Sequence, residues 1–473
     1  MWQISELSFG NPAVNQWRLP DSYSEITAGF RSERLDRPVD PAAGSGEEYM
    51  QFEAETYIKY KNSTLWGSAA YHNGKQRDLR WNETSDLDLV YPYVLADSVG
   101  GDMNLERYHF SGGYADRKGR WGWGATLGYE AGLYYRNVDP RPRNVTGKLD
   151  IAAGVTYSAG KGYVAGLSLD FRKYKQTCDI DFKNQTGVEK VYHATGLGTH
   201  YNRFAGTGLS TYYNGVAYGL GITLYPTCGS GIFASARMNR FTFDNILSDL
   251  NKLPMASVSH SSLSVEAGYK HPGATHGWGM GGRFDISRRV GTENIFGDPA
   301  SSIYPQTGQL DMYYHNFYSM SLRGLWQWQP KPGMLIWVMP EAAYIHDNAT
   351  YLQPGRQMRI NTTRAGATAL CSAPFGQKAL WRATVRVTAE FDMPSGSMHR
   401  VDGTPTSPEG LFDRETTRFM YLTHRSHRIG GRVEVTRALR GTMALRLSGG
   451  YRHSSYCAGN NGGTYDVSLS LSF

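Results

Sequence analysis

The last ten residues, Thr464 to Phe473, alternate strictly: Tyr465, Val467, Leu469, Leu471 and Phe473 fall on one face, Asp466, Ser468, Ser470 and Ser472 on the other. Successive side chains of an extended strand point to opposite faces, so this segment carries one apolar and one hydroxyl-rich surface. Lipid on one side and water on the other is the environment it suits.

Composition points the same way. Among 473 residues stand 55 Gly, 32 Tyr and 11 Trp, with a mean hydropathy of −0.47, a balance suited to many strands, glycine-spaced turns and aromatic interfaces. No run approaches the roughly 18 apolar residues of a membrane helix. A closed barrel needs none, because closure pairs every backbone group and alternate residues supply the apolar surface. Met1 to Pro20 lacks the basic start and apolar stretch of a signal peptide, so an exported protein is expected to be numbered here from its mature form. The net charge of +7 is scattered, without a basic run interleaved with aromatics, which argues against nucleic acid and for acidic lipopolysaccharide or an anionic solute.

Eighteen strands are read near 22–33, 49–61, 63–74, 105–116, 119–135, 148–158, 161–174, 210–226, 230–245, 258–270, 275–288, 310–329, 333–348, 352–371, 376–391, 415–438, 441–455 and 464–473. Connections alternate. They are tight at Lys61-Asn62, Arg117-Lys118 and Ala159-Gly160, and long over 75–104, 175–209, 289–309 and 392–414. Short turns on one rim and long loops on the other are the arrangement of bacterial outer-membrane barrels, with the turns in the periplasm. The expected fold is therefore an all-β, transmembrane antiparallel up-and-down barrel over 22–473, with residues 1–21 as a periplasmic or lumenal segment and candidate plug.

Alternation assigns the two faces. In 161–174 the outward set is Tyr163, Ala165, Leu167, Leu169 and Phe171; in 376–391 it is Trp381, Ala383, Val385, Val387 and Phe391. Facing the lumen are Asp170, Arg172, Arg283, Asp285, Arg323, Arg382, Arg386, Glu390, Arg432, Glu434 and Arg446. A barrel this wide leaves an aqueous channel unless something fills it. Loop 75–104 carries Trp81, Tyr91 and Tyr93, and loop 175–209 carries Tyr192 and Tyr201, more aromatic surface than a solvated loop needs. They are expected either to fold inward or to contact a neighbouring outer-membrane protein or lipoprotein, aromatic residues being enriched at interfaces.

Chemistry-bearing candidates are few. Alternation from Met443, Leu445, Leu447 and Tyr451 puts His453 and Ser455 outward near the loop rim, where an acyl chain could reach them, yet a hydrolase needs a base-orienting group and an oxyanion site, and neither is evident. His424 and His427 take opposite strand faces, against a metal site; no metal or cofactor is expected. Cys178 and Cys457 lie at the loop rim and Cys228 and Cys371 in turns, so the pair Cys178/Cys457 is the candidate disulfide, one that would draw loop 175–209 across the lumen.

Several of these features resemble known families. The terminal strand, with Tyr465, Leu469, Leu471 and Phe473, resembles the assembly signal of outer-membrane barrels. Tyr451-Arg452-His453-Ser454-Ser455 resembles the His-x-Ser region of lipid A deacylases, although the expected Ser-Asn pair reads Ser455-Tyr456. Gly10-Asn11-Pro12-Ala13 resembles the element that opens fatty-acid-transporter-like barrels, whose short N-terminal hatch sits in the lumen. Over its whole length, through that start, Tyr212-Tyr213-Asn214-Gly215, the strand Phe233 to Phe243 and Phe473, the chain resembles an uncharacterised Bacteroidota outer-membrane barrel family associated with TonB-dependent uptake. The resemblance implies the bacterial cell outer membrane and a non-catalytic accessory subunit of a transport or assembly complex. Two readings stand beside it: a porin-like channel with an arginine-rich lumen, and a lipid-face lipid A acyl hydrolase.

Overall fold

The computed structural model describes residues 2–160, 162–184, 190–204, 210–301, 303–376, 380–400 and 409–473. In chain order its strands are β1 (Tyr23–Leu35), β2 (Gly46–Lys59), β3 (Ser63–Leu79), β4 (Val94–Ala96), β5 (Gly101–Lys118), β6 (Trp121–Tyr135), β7 (Arg141–Gly160), β8 (Tyr163–Asp181), β9 (Tyr192–Gly196), β10 (Thr199–His200), β11 (Ser210–Pro226), β12 (Gly231–Leu247), β13 (Leu253–His271), β14 (His276–Phe296), β15 (Gln306–Trp328), β16 (Leu335–Tyr351), β17 (Arg356–Phe375), β18 (Trp381–Arg400), β19 (Ser426–Ala438), β20 (Ala444–Ser455) and β21 (Asn461–Ser472). Among the described residues two α-helices lie between them, α1 (Leu87–Val90) and α2 (Glu409–Leu422).

Eighteen strands form one sheet in which each pairs antiparallel with its wall neighbours, and β1 pairs with β21 to close it. At the seam Ala28 faces Leu469, and the Thr27 and Ser470 hydroxyls hydrogen-bond at 2.8 Å on the inner side. Closure removes the unpaired edges that an open sheet would expose. The remaining strands, β4, β9 and β10, form a small separate sheet.

Period-2 alternation produces the two surfaces. On β6, Trp121 is 61% exposed and Leu127 56%, while their inward neighbours are glycine or threonine. Outward Trp121, Tyr157, Trp278, Trp326 and Trp381 gather at the turn rim, where ring pairs such as Trp121–Tyr157 (4.9 Å) bridge adjacent strands. An apolar band flanked by aromatics is the exterior a bilayer demands. Among the described residues no helix is long and apolar enough to cross a membrane, which says nothing of strands.

Strands run several residues beyond the segments expected from sequence. The connection expected at 289–309 shrinks to 297–305 because β14 and β15 continue pairing to Phe296 and Gln306. Cys371, expected in a turn, lies within β17 opposite Ile336 and Val385. The expected strand 415–438 begins as helix: α2 occupies 409–422, and β19 starts only at Ser426. Leu411, Glu415, Arg418 and Leu422 follow helical spacing, not alternation.

Candidate functional site

The N-terminal residues lie inside the barrel at the turn rim. Two 3-10 helices, Trp2–Gly10 and Pro12–Trp17, meet at Asn11, whose side chain accepts from Ala13 N at 3.0 Å and donates to Leu167 O at 3.2 Å. Asparagine at the cap and proline at the first helical position suit that turn. The wall makes room: a Cβ on Gly124 would collide with Ala13, and one on Gly154 or Gly166 with the Asn11 side chain. Strand glycines mark such close approaches. Ile4 and Val14 bury among Val164, Tyr225, Phe233, Leu325, Trp337 and Leu370. Polar contacts fix the rest: Ser8 with Ser235 (2.8 Å), Leu7 N to Glu266 (3.0 Å), and Tyr57 OH to Asn15 O (2.8 Å).

At the loop rim a second mass fills the mouth. In residues 80–100, α1 is followed by β4, which pairs with β9 so that Val94 faces Ala194. Trp81, Val90, Tyr93, Val94 and Ala194 bury against Tyr174, Tyr213, Phe241, Phe243 and Val258 of the wall and Leu411 of α2. Arg136, in the β6–β7 connection at the same rim, holds this loop, donating to Glu83 at 3.0 Å and Asp97 at 2.8 Å with all three side chains at most 1% exposed. Arg289 donates to the Asp88 and Tyr91 carbonyls at 2.9 and 2.8 Å.

Helix α2 lies across the same mouth. Arg414 pairs with Asp40 of the β1–β2 loop at 3.1 Å and stacks over the Tyr91 ring at 5.7 Å; Arg418 reaches Asp40 at 3.5 Å and Glu415 at 3.7 Å. Burial works to raise the Asp40 pKa, but the adjacent guanidiniums hold it below the usual carboxylate value. Burial pushes the Tyr91 phenol up, and Glu415 adds to the shift. His200 on β10 is pushed down to about 4 by burial, with His193 and Arg356 contributing.

Between the two masses lies a cavity of about 660 Å³. Phe9, Pro12 and Asn15 form its floor, Leu89 of α1 its roof, and Trp66, His109, Asp150, Arg172, Arg237 and His260 part of its wall. Two of its arginines are paired, Arg172 with Asp150 at 2.6 Å and Arg237 with Asp170 at 3.3 Å, while Arg289, also in the lining, makes only the carbonyl contacts described above. The N-terminal helices pack chiefly on β3, β5 to β8 and β11 to β15. Opposite, β17 to β21 and β1 present a ladder of partly exposed ion pairs: Arg364–Asp392 (2.7 Å), Arg428–Asp392 (2.8 Å), Arg432–Asp466 (2.5 Å) and Arg446–Glu25 (2.5 Å).

The expected lumen residues sit as follows. Asp170 and Arg172 face the cavity. Arg283 pairs with Asp285 (2.9 Å) and Arg323 with Glu341 (3.1 Å). Arg382 donates to Gly333 O at 2.7 Å, Arg386 lines a small pocket with Arg31 and Asp466, Glu390 contacts Arg428, and Glu434 contacts Arg432 at 3.3 Å.

Two expectations are corrected, one for the loop aromatics and one for the cysteines. Trp81, Tyr91, Tyr93, Tyr192 and Tyr201 are not a free partner surface; the chain covers them itself, Tyr192 against Trp81 and Tyr201 donating to Met255 O at 2.7 Å. Their covering residues lie far along the chain, which no local pattern reveals. The Cys178–Cys457 disulfide is not formed: both are free thiols, Cys178 on the lumen side of β8 against Glu83 O and Cys457 against Met420 O. The pairing of β4 with β9 does the work that bridge was expected to do. His453 and Ser455 share the outward face, but the neighbour of His453 is another imidazole, His427 at 6.3 Å, and among the described residues no carboxylate hydrogen-bonds to it. Among those residues no group of three metal-ligating side chains comes together.

Sequence reasoning missed Asp40, Glu83, Asp97, Arg136, Arg289, Arg414 and Arg418. The i, i+4 spacing of Arg414 and Arg418 was the available signal; the others acquire meaning only through contacts distant in sequence.

A closed barrel with its own chain folded into both mouths is the class that this geometry defines. The chain belongs to the family described as "Family of unknown function (DUF6850)", which matches residues 12–473. No curated protein matches it. Among solved structures it is similar to a mutant of the ferric enterobactin receptor PfeA of Pseudomonas aeruginosa, at 10% identity and a TM-score of 0.39 over 96% of this chain and 80% of that one. It is also similar to the ferric preacinetobactin receptor BauA of Acinetobacter baumannii (9%, 0.42, 96% and 80%) and to the ferric-catecholate import receptor Fiu of E. coli K12 (8%, 0.39, 96% and 82%). Likeness at this level carries nothing about ligands.

Proposed function

We propose that this chain is a bacterial outer-membrane barrel serving as a non-catalytic accessory subunit of a transport or assembly complex, its passage occluded at rest by its own N-terminal segment and inward-folded loops. The observation that supports this reading is the filling of the lumen from both rims, by Trp2–Trp17 below and by α1, β4, β9 and α2 above. A wide barrel offered for free diffusion gains nothing from burying Trp81, Tyr93 and Ile4 in its passage. The apolar exterior and aromatic rim support residence in the membrane, and an even strand count with tight turns on one rim supports placing both termini in the periplasm. The neighbour would be an outer-membrane protein or lipoprotein at the loop rim.

A second reading, a porin-like channel, draws on the charged wall of β17 to β21 and β1, whose ion pairs retain partial exposure beside the N-terminal helices. Conductance in planar bilayers separates the two. The occluded barrel is expected to be silent when intact and to conduct once residues 2–20 are deleted. Steady, large conductance from intact protein would overturn the occluded reading in favour of the channel.

A further inference from the structure

Most arginines inside this barrel are matched by a carboxylate, as Arg172 is by Asp150 and Arg283 by Asp285. On the outside, Lys173 and Lys175 of β8, Arg240 of β12 and Arg288 of β14 form no ion pair among the described residues. Lys173 donates to Asn214 at 2.7 Å and interacts with the charge of Asp244 nearby, whereas Arg288 lies 5.6 Å over the Tyr314 ring, a contact that orients the cation without neutralising it.

Strand register shows where they stand. One cross-strand row reads Leu169, Leu220, Met238, Leu263 and Ile286, wholly apolar. The next row toward the loops reads Phe171, Tyr218, Arg240, Ser261 and Arg288, and the row beyond begins with Lys173. The four cations therefore start where the apolar band stops. Arg240 and Arg288 flank Ser261, two interstrand spacings or about 10 Å apart. The outward carboxylate nearest in register is Asp244, opposite Asn214 and four residues beyond Arg240. Arg240 and Arg288, without a carboxylate partner among the described residues, stand at the edge of a low-dielectric layer, where a cation attracts anions far more strongly than in bulk water, and guanidinium presents the planar donor pair that suits phosphate oxygens.

We propose that this outward face of β8 to β14 is a binding site for the phosphate-bearing headgroup of an outer-leaflet lipid, with Arg240 and Arg288 gripping phosphate and Lys173 and Lys175 supplying charge beside them. The acyl chains would lie along Leu220, Met238, Leu263 and Ile286. The inference rests on the outer-membrane reading above, whose own failure is read separately by density-gradient fractionation of wild-type membranes.

The test compares wild type with Lys173→Gln/Arg240→Gln/Arg288→Gln, both purified from outer membranes, by mass spectrometry of co-purifying lipid and by thermal melting with added diphosphoryl lipid A, the same lipid stripped of phosphate, or inorganic phosphate. Wild type is expected to retain phosphorylated lipid and to melt higher with diphosphoryl lipid A alone, and the triple variant to retain about tenfold less. Arg437→Gln, outward over Trp381 at the turn rim, is the control expected to change neither. Heat-modifiable mobility reads barrel formation, and if the triple variant fails to form, Arg240→Gln alone is expected to reduce retention. Equal retention by a folded variant, equal stabilisation by the phosphate-free lipid, or reproduction of the shift by inorganic phosphate would overturn the proposal.

Discussion

Arg414 on α2 donates to Asp40 in the β1–β2 loop, Nε to Oδ1 at 3.1 Å, with 3% and 18% of the two side chains exposed. This contact ties the helix across the barrel mouth to a loop more than three hundred residues earlier in the chain. Removing Asp40 leaves Glu415 alone to face both Arg414 (3.6 Å) and Arg418 (3.7 Å), so one buried positive charge goes uncompensated, at a cost of about 3 to 5 kcal/mol. Asp40→Asn is therefore expected to raise hydrogen exchange and protease cleavage across 409–422 while heat-modifiable mobility of the barrel stays as in wild type. Because the folded carboxyl titrates below its ordinary value, the contribution is complete above about pH 4 and is lost as pH falls through the folded pKa. Acid opening of α2 that is identical in Asp40→Asn would contradict this assignment.

His200 supplies a separate pH response. Its folded pKa of about 4 lies below the ordinary histidine value of 6.5, so the opened loop binds more protons than the closed one between those limits. Stability of the β4, β9 and β10 sheet should rise with pH through this window and level off above about 6.5. Hydrogen exchange of residues 192–200 at pH 5 and 7.5 measures the effect, and His200→Gln should flatten it. An unchanged pH dependence in the variant would remove His200 from the account.

Trp81 is buried at 8% exposure among Val90, Val94, Tyr192 and Leu411. Truncation of a buried tryptophan costs about 3 to 5 kcal/mol, so Trp81→Ala should loosen the inward loop in purified, isolated protein. If the variant's loop exchanges like wild type, the residue contributes little to this packing.

The legible and illegible parts of the molecule divide on physical grounds. Each wall strand carries its own two-faced pattern, so Leu167, Leu169 and Phe171, or Val385 and Val387, announce the outward face without reference to any other segment. The Gly10 to Ala13 element was visible as a motif, but its seat against Gly154 and Gly166 is a tertiary matter. Loop aromatics such as Tyr93 signal burial without saying where, since Tyr174, Tyr213 and Phe243 become neighbours only after closure. Residues 415–422 of helix α2 fall in a segment expected as strand and 409–414 in one expected as loop, although Leu411, Glu415 and Leu422 keep helical spacing. The oxidising compartment inferred for Cys178 and Cys457 said nothing about distance across the barrel.

The terminal strand separates lipid from lumen. Leu469 is outward and 48% exposed, paired with Ala28 across the seam. Leu469→Arg should cost about 2 to 4 kcal/mol if the residue lies near the bilayer midplane. Thr388→Arg, inward on β18 beside Arg386 and Arg432, should be tolerated far better. Phe473→Ser should impair insertion, since Phe473 both exchanges backbone hydrogen bonds with Ser24 (3.0 and 3.1 Å) and stands outward as an aromatic anchor. Urea midpoints of refolding into vesicles and yields in outer-membrane fractions measure these effects; equal cost at positions 469 and 388 would contradict the assigned faces.

Gly154 offers the sharpest test of the N-terminal occlusion. A Cβ there would overlap the Asn11 side chain, which itself accepts from Ala13 N and holds the turn between the two 3-10 helices. Gly154→Leu keeps every residue of the chain yet removes the space Asn11 occupies, so the segment is forced off its seat while β7 retains its pairing with β6 and β8. Gly431→Ala, outward on β19 where an added Cβ finds its nearest neighbour at 3.8 Å, controls for loss of a strand glycine. Bilayer recordings should show current through Gly154→Leu and silence from both wild type and Gly431→Ala. Silence from a folded Gly154→Leu barrel would mean that the loop-rim mass seals the lumen without help from the N-terminal helices.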